Sequence, residues 1–161
     1  MKVTLRLQKI SDAEDFYRIL SNPNFKYFSA RPVSVAAERA WMKQNPTKRN
    51  FHYNYAIIMN DNVVGGCGIR INQHRKHIGE IGYFVDETHW GKSIAPKAVK
   101  LLENIAFQTF RLRRLEILTH PDNKASERVA IKCGYHKEGT LRKVIEHSKG
   151  FWDAHIYAKV R

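Results

Sequence analysis

Apolar and polar residues alternate over positions 3 to 9, with Val3, Leu5 and Leu7 in phase, and this period of two predicts an opening strand. Ser11-Asp12-Ala13-Glu14 reads as a capping box, in which serine and glutamate each satisfy an amide at a helix start. Ala13, Phe16, Tyr17 and Leu20 then fall on one helical face, and Asn22-Pro23 stops the helix. Ser34 caps a second short helix carrying Ala37, Ala40 and Trp41, which ends before Pro46. Strands at 53–59 and 63–71 flank the turn Asn60-Asp61-Asn62, and a further strand spans 77–85. In that strand Glu80 is in phase with Ile78, Gly82 and Phe84, while Ile81, Tyr83 and Val85 point to the other face.

The clearest helix covers 93–109, with Ile94, Ala98, Leu101 and Ile105 on one stripe and Leu102 and Ala106 beside it. A strand follows at 114–119. Asn123 caps a helix with Ala125, Val129 and Ala130 facing inward, and Gly134 ends it. Strands at 135–146 and 151–159 enclose the turn Ser148-Lys149-Gly150. The order βααβββαβαββ has no internal repeat or linker, so one domain over 1–161 is expected. Strands surrounding two central helices predict a mixed α/β (α+β) fold with helices on both faces of the sheet.

Composition narrows the class. The apolar fraction of 43% and the charged fraction of 27% are those of an ordinary globular chain. No run approaches the roughly 20 apolar residues of a membrane span, and the first residues enter a strand without an apolar leader, so a soluble cytoplasmic protein is expected. Cys67 and Cys133 form no CxxC or Cys/His cluster and read as two buried thiols. His74 and His77 are the only close histidine pair, and nothing completes a metal site around them. Lys and Arg number 28 against 15 Asp and Glu, a formal net charge of +13. That field favours anions, whether nucleic acid, the ribosome or a phosphorylated cofactor, and disfavours polycations. The basic residues are dispersed, with short clusters at Arg111-Leu112-Arg113-Arg114 and Lys48-Arg49, as on any solvated basic surface.

The chemistry concentrates after Tyr83. A strand ends, a short loop follows, and a strong helix opens near Ser93. The first amides of a helix have no intrahelical partner and, with the helix dipole, attract anions. Gly91 lets a ligand approach the backbone, Lys92 adds positive charge, and Pro96 sits in the first turn, where its missing N–H costs nothing. Asn123 and Ser126, three apart at the next helix start, read either as plain capping or as polar groups presented to a ligand. Glu80, a carboxylate in a half-buried strand, reads either as a partner of a nearby arginine such as Arg70 or as a general base. Glu146 reads as an exposed hairpin residue or as a second base. Tyr83 and Tyr157 read as core or rim tyrosines whose phenols can also exchange protons.

Several blocks resemble the GNAT superfamily of acetyltransferases, in particular its RimJ/RimL-like branch of ribosomal-protein N-terminal acetyltransferases. They are Leu5-Arg6-Leu7 with Asp12-Ala13-Glu14-Asp15, Val63-Val64-Gly65-Gly66, Gly79-Glu80-Ile81-Gly82-Tyr83, Trp90 to Ala95, Arg113 to Glu116, His120 to Val129, Lys132 to Tyr135, and Glu138 to Arg142, with Asp153 and Tyr157 in the last strand. The resemblance covers nearly the whole chain. It implies a mostly antiparallel central sheet of about seven strands and acetyl-CoA as cosubstrate. It also implies direct attack of a primary amine on the thioester. By that resemblance Phe84 and Val85 meet the pantetheine arm, and Trp90, Gly91, Lys92, Ser93, Ile94 and Ala95 wrap the pyrophosphate. Asn123 also contacts the pantetheine, Ser126 protonates the leaving thiolate, and Glu80 or Glu146 serves as base. The loop departs from the family pattern Gln/Arg-x-x-Gly-x-Gly/Ala. Trp90 stands first, Ser93 replaces the central glycine, and Pro96-Lys97 replaces a common Thr-Glu. The acceptor remains open between a protein N-terminus and a small-molecule amine, and the assembly between monomer and homodimer. A basic nucleic-acid or ribosome-binding module on the same fold, with weakened catalysis, is the competing reading.

Overall fold

A computed structural model describes residues 2–29, 31–48 and 51–161; Arg49 of the second basic cluster lies outside them. The described residues form seven strands and four α-helices. In chain order these are β1 (Val3–Leu7), α1 (Ala13–Leu20), α2 (Val35–Gln44), β2 (His52–Met59), β3 (Asn62–Ile71) and β4 (Ile78–Val85). There follow α3 (Ile94–Asn104), β5 (Arg114–Thr119), α4 (Lys124–Lys132), β6 (His136–His147) and β7 (Gly150–Val160). All seven strands join one sheet in the order β1-β2-β3-β4-β5-β7-β6. Every neighbouring pair is antiparallel except β4 and β5.

The parallel pair is the feature that matters for function. β4 and β5 are in register only at Ile78↔Arg114, Gly79↔Leu115 and Glu80↔Glu116. Beyond that point β4 stays beside β3 as far as Val85, and β5 stays beside β7 as far as Thr119. The sheet therefore splits into a V. Its closed end depends on Gly79, where an added Cβ would lie 2.7 Å from Leu112 Cδ1 and 3.1 Å from Ile69 Cγ2.

Helices cover both faces, as the element order predicts. One face carries the larger core, in which Ile69, Ile81, Val85, Leu115, Ile117 and Tyr157 pack beneath α3 and, through Ala130 and Cys133, α4. The other carries a smaller cluster of Phe16, Met42, Ala56 and Phe84 under α1 and α2. The predicted phase of β4 holds, with Phe84 in the smaller cluster and Ile81 and Val85 in the larger.

Local details correct four expectations. The first helix does not start with a Ser11–Glu14 box. A single 3-10 turn, Ile10–Asp12, precedes α1, and Asp12 Oδ2 accepts from the Lys9 amide at 2.8 Å while both Asp12 oxygens also accept from Arg6. Burial alone would raise the Asp12 carboxyl, but the Arg6 and Lys9 hydrogen bonds hold it below the usual range. Ser34 does cap α2, accepting from Ala37 N at 3.0 Å, yet the inward face carries Glu38 and Met42, and Trp41 is exposed. Packing of Met42 beside Phe16 sets that face, which overrides the alanine stripe. The β2–β3 turn is two residues, Asn60 and Asp61, both at positive φ, and Asn62 already belongs to β3. Finally, α3 stops at Asn104, and Ile105–Thr109 continue as a wider π turn that carries Phe110 against Tyr53, with ring centroids 4.2 Å apart.

Candidate active site

The loop leaving β4 is built before any ligand arrives. Asp86 caps a 3-10 turn at Glu87–His89 by accepting from the Thr88 amide at 3.0 Å, and Arg18 of α1 pairs with its other oxygen. Asn22 and Asn24, just past α1, hold the Glu87 carboxylate. Trp90 lies half-exposed over the strand end, its indole N–H donating to the Val85 carbonyl at 2.7 Å. Lys92 Nζ donates to the Thr88 carbonyl at 2.9 Å. Gly91 has φ +74°, with open space where a Cβ would stand.

Ser93 enters α3 at φ +57°, in the left-handed region that favours glycine. Its hydroxyl accepts from Lys132 Nζ of α4 at 2.9 Å. This lysine at the loop was missed in the sequence. Only the packing of α3 on α4 brings it there, a packing also marked by the Cys133 thiol donating to the Pro96 carbonyl at 3.6 Å. Ile94 is buried beneath the first turn, with Ala95 and Pro96 half-buried beside it.

Across the V, α4 begins on the same face. Asn123 Oδ1 accepts from the Ser126 amide at 3.1 Å, so the predicted cap is present. Ser126 Oγ lies 2.8 Å from the Tyr83 hydroxyl, which also donates to the Ser126 carbonyl at 3.2 Å. Burial pushes the Tyr83 phenol up to about 12, so it stays neutral and keeps a proton to share. Tyr157, fully buried in β7, donates to Glu127 of the same helix. Thr119 and His155 face each other in the β5–β7 register, and their Oγ1 and Nδ1 atoms are buried without a hydrogen-bond partner.

The candidate carboxylates separate. Glu80 stands on the α1/α2 face at the closed end of the V, where Arg70 bonds it at 2.8 Å. His52, Arg70, Glu80 and Glu116 lie in one row across four strands and border a hollow of about 340 Å³. Arg114 bridges Glu116 and Glu138 beyond it. Glu146 sits exposed near the end of β6, opposite Phe151. The structure thus brings Ser126, Asn123 and Tyr83 together, places Glu80 on the opposite face of the sheet at the closed end of the V, and leaves Glu146 on the hairpin. Among the described residues, no group of three or more His, Cys, Asp or Glu side chains is placed to hold a metal ion.

Residues 2–136 match the acetyltransferase (GNAT) domain family. The uncharacterized N-acetyltransferase p20 of Bacillus licheniformis is 31% identical over 155 residues, covering 92% of this chain and 86% of that protein. The ribosomal-protein-serine acetyltransferase of Escherichia coli is 28% identical over 113 residues, 70% of this chain and 63% of that one. Among solved structures, RimL, a ribosomal L7/L12 α-N-protein acetyltransferase in complex with coenzyme A, superposes with a TM-score of 0.87 at 21% identity, covering 99% and 94% of the two chains. The chain belongs to the GNAT family of acetyltransferases and is an acetyl-CoA-dependent N-acetyltransferase.

Proposed function

We propose that the V between β4 and β5 is where an acetyl group passes from acetyl-CoA to a primary amine by direct attack. The observation that carries this reading is the placement of proton-handling groups on both faces of one opening. Tyr83 and Ser126 border it on the α3/α4 face, and Glu80 stands at its apex on the α1/α2 face.

Acetyl-CoA supplies an activated acyl thioester. The residues present fit it. The backbone at Phe84 and Val85 runs along the opening where β5 has left β4. The backbone from Gly91 to Ala95 leads past the open space at Gly91 into the start of α3, and Lys92 with Lys132 adds positive charge where a pyrophosphate would lie. Asn123 orients the start of α4, and Thr119 and His155 offer unpaired polar atoms beneath it.

Ser126 is the acid on the leaving thiolate. Its hydroxyl proton is replenished through the neutral Tyr83 phenol, which takes a proton back from solvent in each cycle, so the pair works as a relay and needs no ionised serine. Glu80, or a water that it holds, receives the proton of the incoming amine. An N-terminal amine titrates near 8, so a modest base is enough. Glu146 takes this role only if the acceptor draws the hairpin inward, and the position of Glu80 at the apex of the V favours Glu80. The acceptor is a protein N-terminus or a small amine, the name of the E. coli relative, a ribosomal-protein-serine acetyltransferase, favouring a protein acceptor, and the protein works in the cytoplasm. Among the described residues, no helix is long and apolar enough to cross a membrane.

Thiol release at saturating acetyl-CoA tests the assignment. Ser126→Ala should lower kcat about 100-fold while acetyl-CoA affinity stays nearly constant. Glu80→Gln should remove the acidic limb of the pH–rate profile. Full turnover in the first variant, or a retained limb in the second, rules out the corresponding role.

A further inference from the structure

The open end of the V on the Glu80 face is crossed by aromatic side chains that proton transfer does not use. The segment between α1 and α2 sets Phe28 edge-on to Phe84 at 5.6 Å between centroids and Phe25 edge-on to Trp90, also at 5.6 Å. Between them, Tyr27 stacks on His120 at 4.7 Å and an interplanar angle of 23°. His120 directly follows β5 and meets Trp152 of β7 edge-on, at 5.2 Å and 87°. Trp152 in turn stacks on His147 of β6 at 3.9 Å and 24°. Glu116 pairs with Ala158 across β5 and β7, so the even-numbered residues of β7, Trp152 among them, share the face of Glu80 and Glu116.

The result is a corner made of two stacked ring pairs at right angles, drawn from a loop, a strand end and a hairpin. Such a corner offers a planar guest a face to stack on and an edge to abut, the two arrangements that ring quadrupoles favour. Tyr27 is 37% exposed and Trp152 half-buried, so both residues reach solvent. An aliphatic amine gains little there. A cation uses the same faces through cation–π attraction, but a net charge of +13 opposes it. We infer that the acceptor is a primary amine borne on a planar aromatic or heteroaromatic molecule, which rests in the Tyr27–His120–Trp152–His147 corner while its amine enters the V. The inference rests on the acetyl-transfer reading above.

The test uses the intact protein, saturating acetyl-CoA and matched amines, namely tyramine and tryptamine against pentylamine and spermidine, with thiol release as readout. kcat/KM for the ring amines should exceed that for pentylamine by about tenfold. Trp152→Leu should lower it for the ring amines by a similar factor, through KM more than kcat, and Trp152→Phe should restore it. Both variants should bind acetyl-CoA like the parent protein, which separates lost stacking from lost folding. Equal kcat/KM for ring and aliphatic amines, a preference for spermidine, or a Trp152→Leu loss shared equally by all amines overturns the inference. If acetyl-CoA binds but no amine is turned over, the Trp152 indole N–H signal in the acetyl-CoA complex decides. A shift on adding tryptamine supports the ring-bearing acceptor, and no shift overturns it while leaving the acetyltransferase reading intact. Failure to bind acetyl-CoA overturns both.

Discussion

Burial pushes the Tyr83 phenol up to about 12, and burial with the Glu127 carboxylate takes Tyr157 to about 12 as well. An unfolded tyrosine releases its proton near 10. Between about 10 and 12 the folded chain therefore holds protons that the unfolded chain has given up. This stability is complete below about 10 and is lost as pH rises through the folded values. The denaturation midpoint, followed from about pH 9 to 12, should fall steeply in the intact protein and less steeply in Tyr83→Phe; identical slopes would show that Tyr83 is not the titrating group. At this scale the sequence was informative about Ser126 and Asn123, because a three-residue spacing at a helix start is a local signal. Tyr83 was harder to weigh. Strand phase says which face it takes, but its partner lies 43 residues away. Lys132 and the Thr119–His155 pair carried no local signal at all.

Among the elements, the entry to α3 shows how a departure from the family pattern is accommodated. A residue other than glycine in the left-handed region costs about 1–2 kcal/mol, and Ser93 offsets part of this with the hydrogen bond from Lys132. That bond is exposed, so it returns only about 0.5–1 kcal/mol. Ser93→Gly should therefore raise stability by up to about 1 kcal/mol in urea denaturation. Equal or lower stability would mean that the lysine bond outweighs the backbone strain. Elements with strong internal periods, β4, α3 and the α4 cap, were legible in the sequence. The first helix start and the face of α2 were not. Asp12 serves a tertiary ion pair with Arg6 as well as the Lys9 amide, and Met42 is positioned by α1. Neither contact is visible to a helical period.

Over the whole molecule, the order of elements was enough to anticipate a mixed sheet covered on both faces. The V was not readable in the same way, because it is set by where pairing stops. The strands β4 and β5 are joined at three positions and then follow different neighbours. Those three positions organise the chemistry. They put Glu80 at the apex, leave the edge of β4 open beyond it, and let α3 and α4 start on one side while the aromatic corner closes the other. The surplus of positive charge belongs to this scale too, since a field of +13 acts on any phosphorylated ligand that approaches the loop. The most direct test of the account is calorimetric titration of the intact protein with acetyl-CoA. One site per chain is expected, with a micromolar dissociation constant that weakens as salt screens the pyrophosphate. No heat of binding at about 1 mM acetyl-CoA would contradict it.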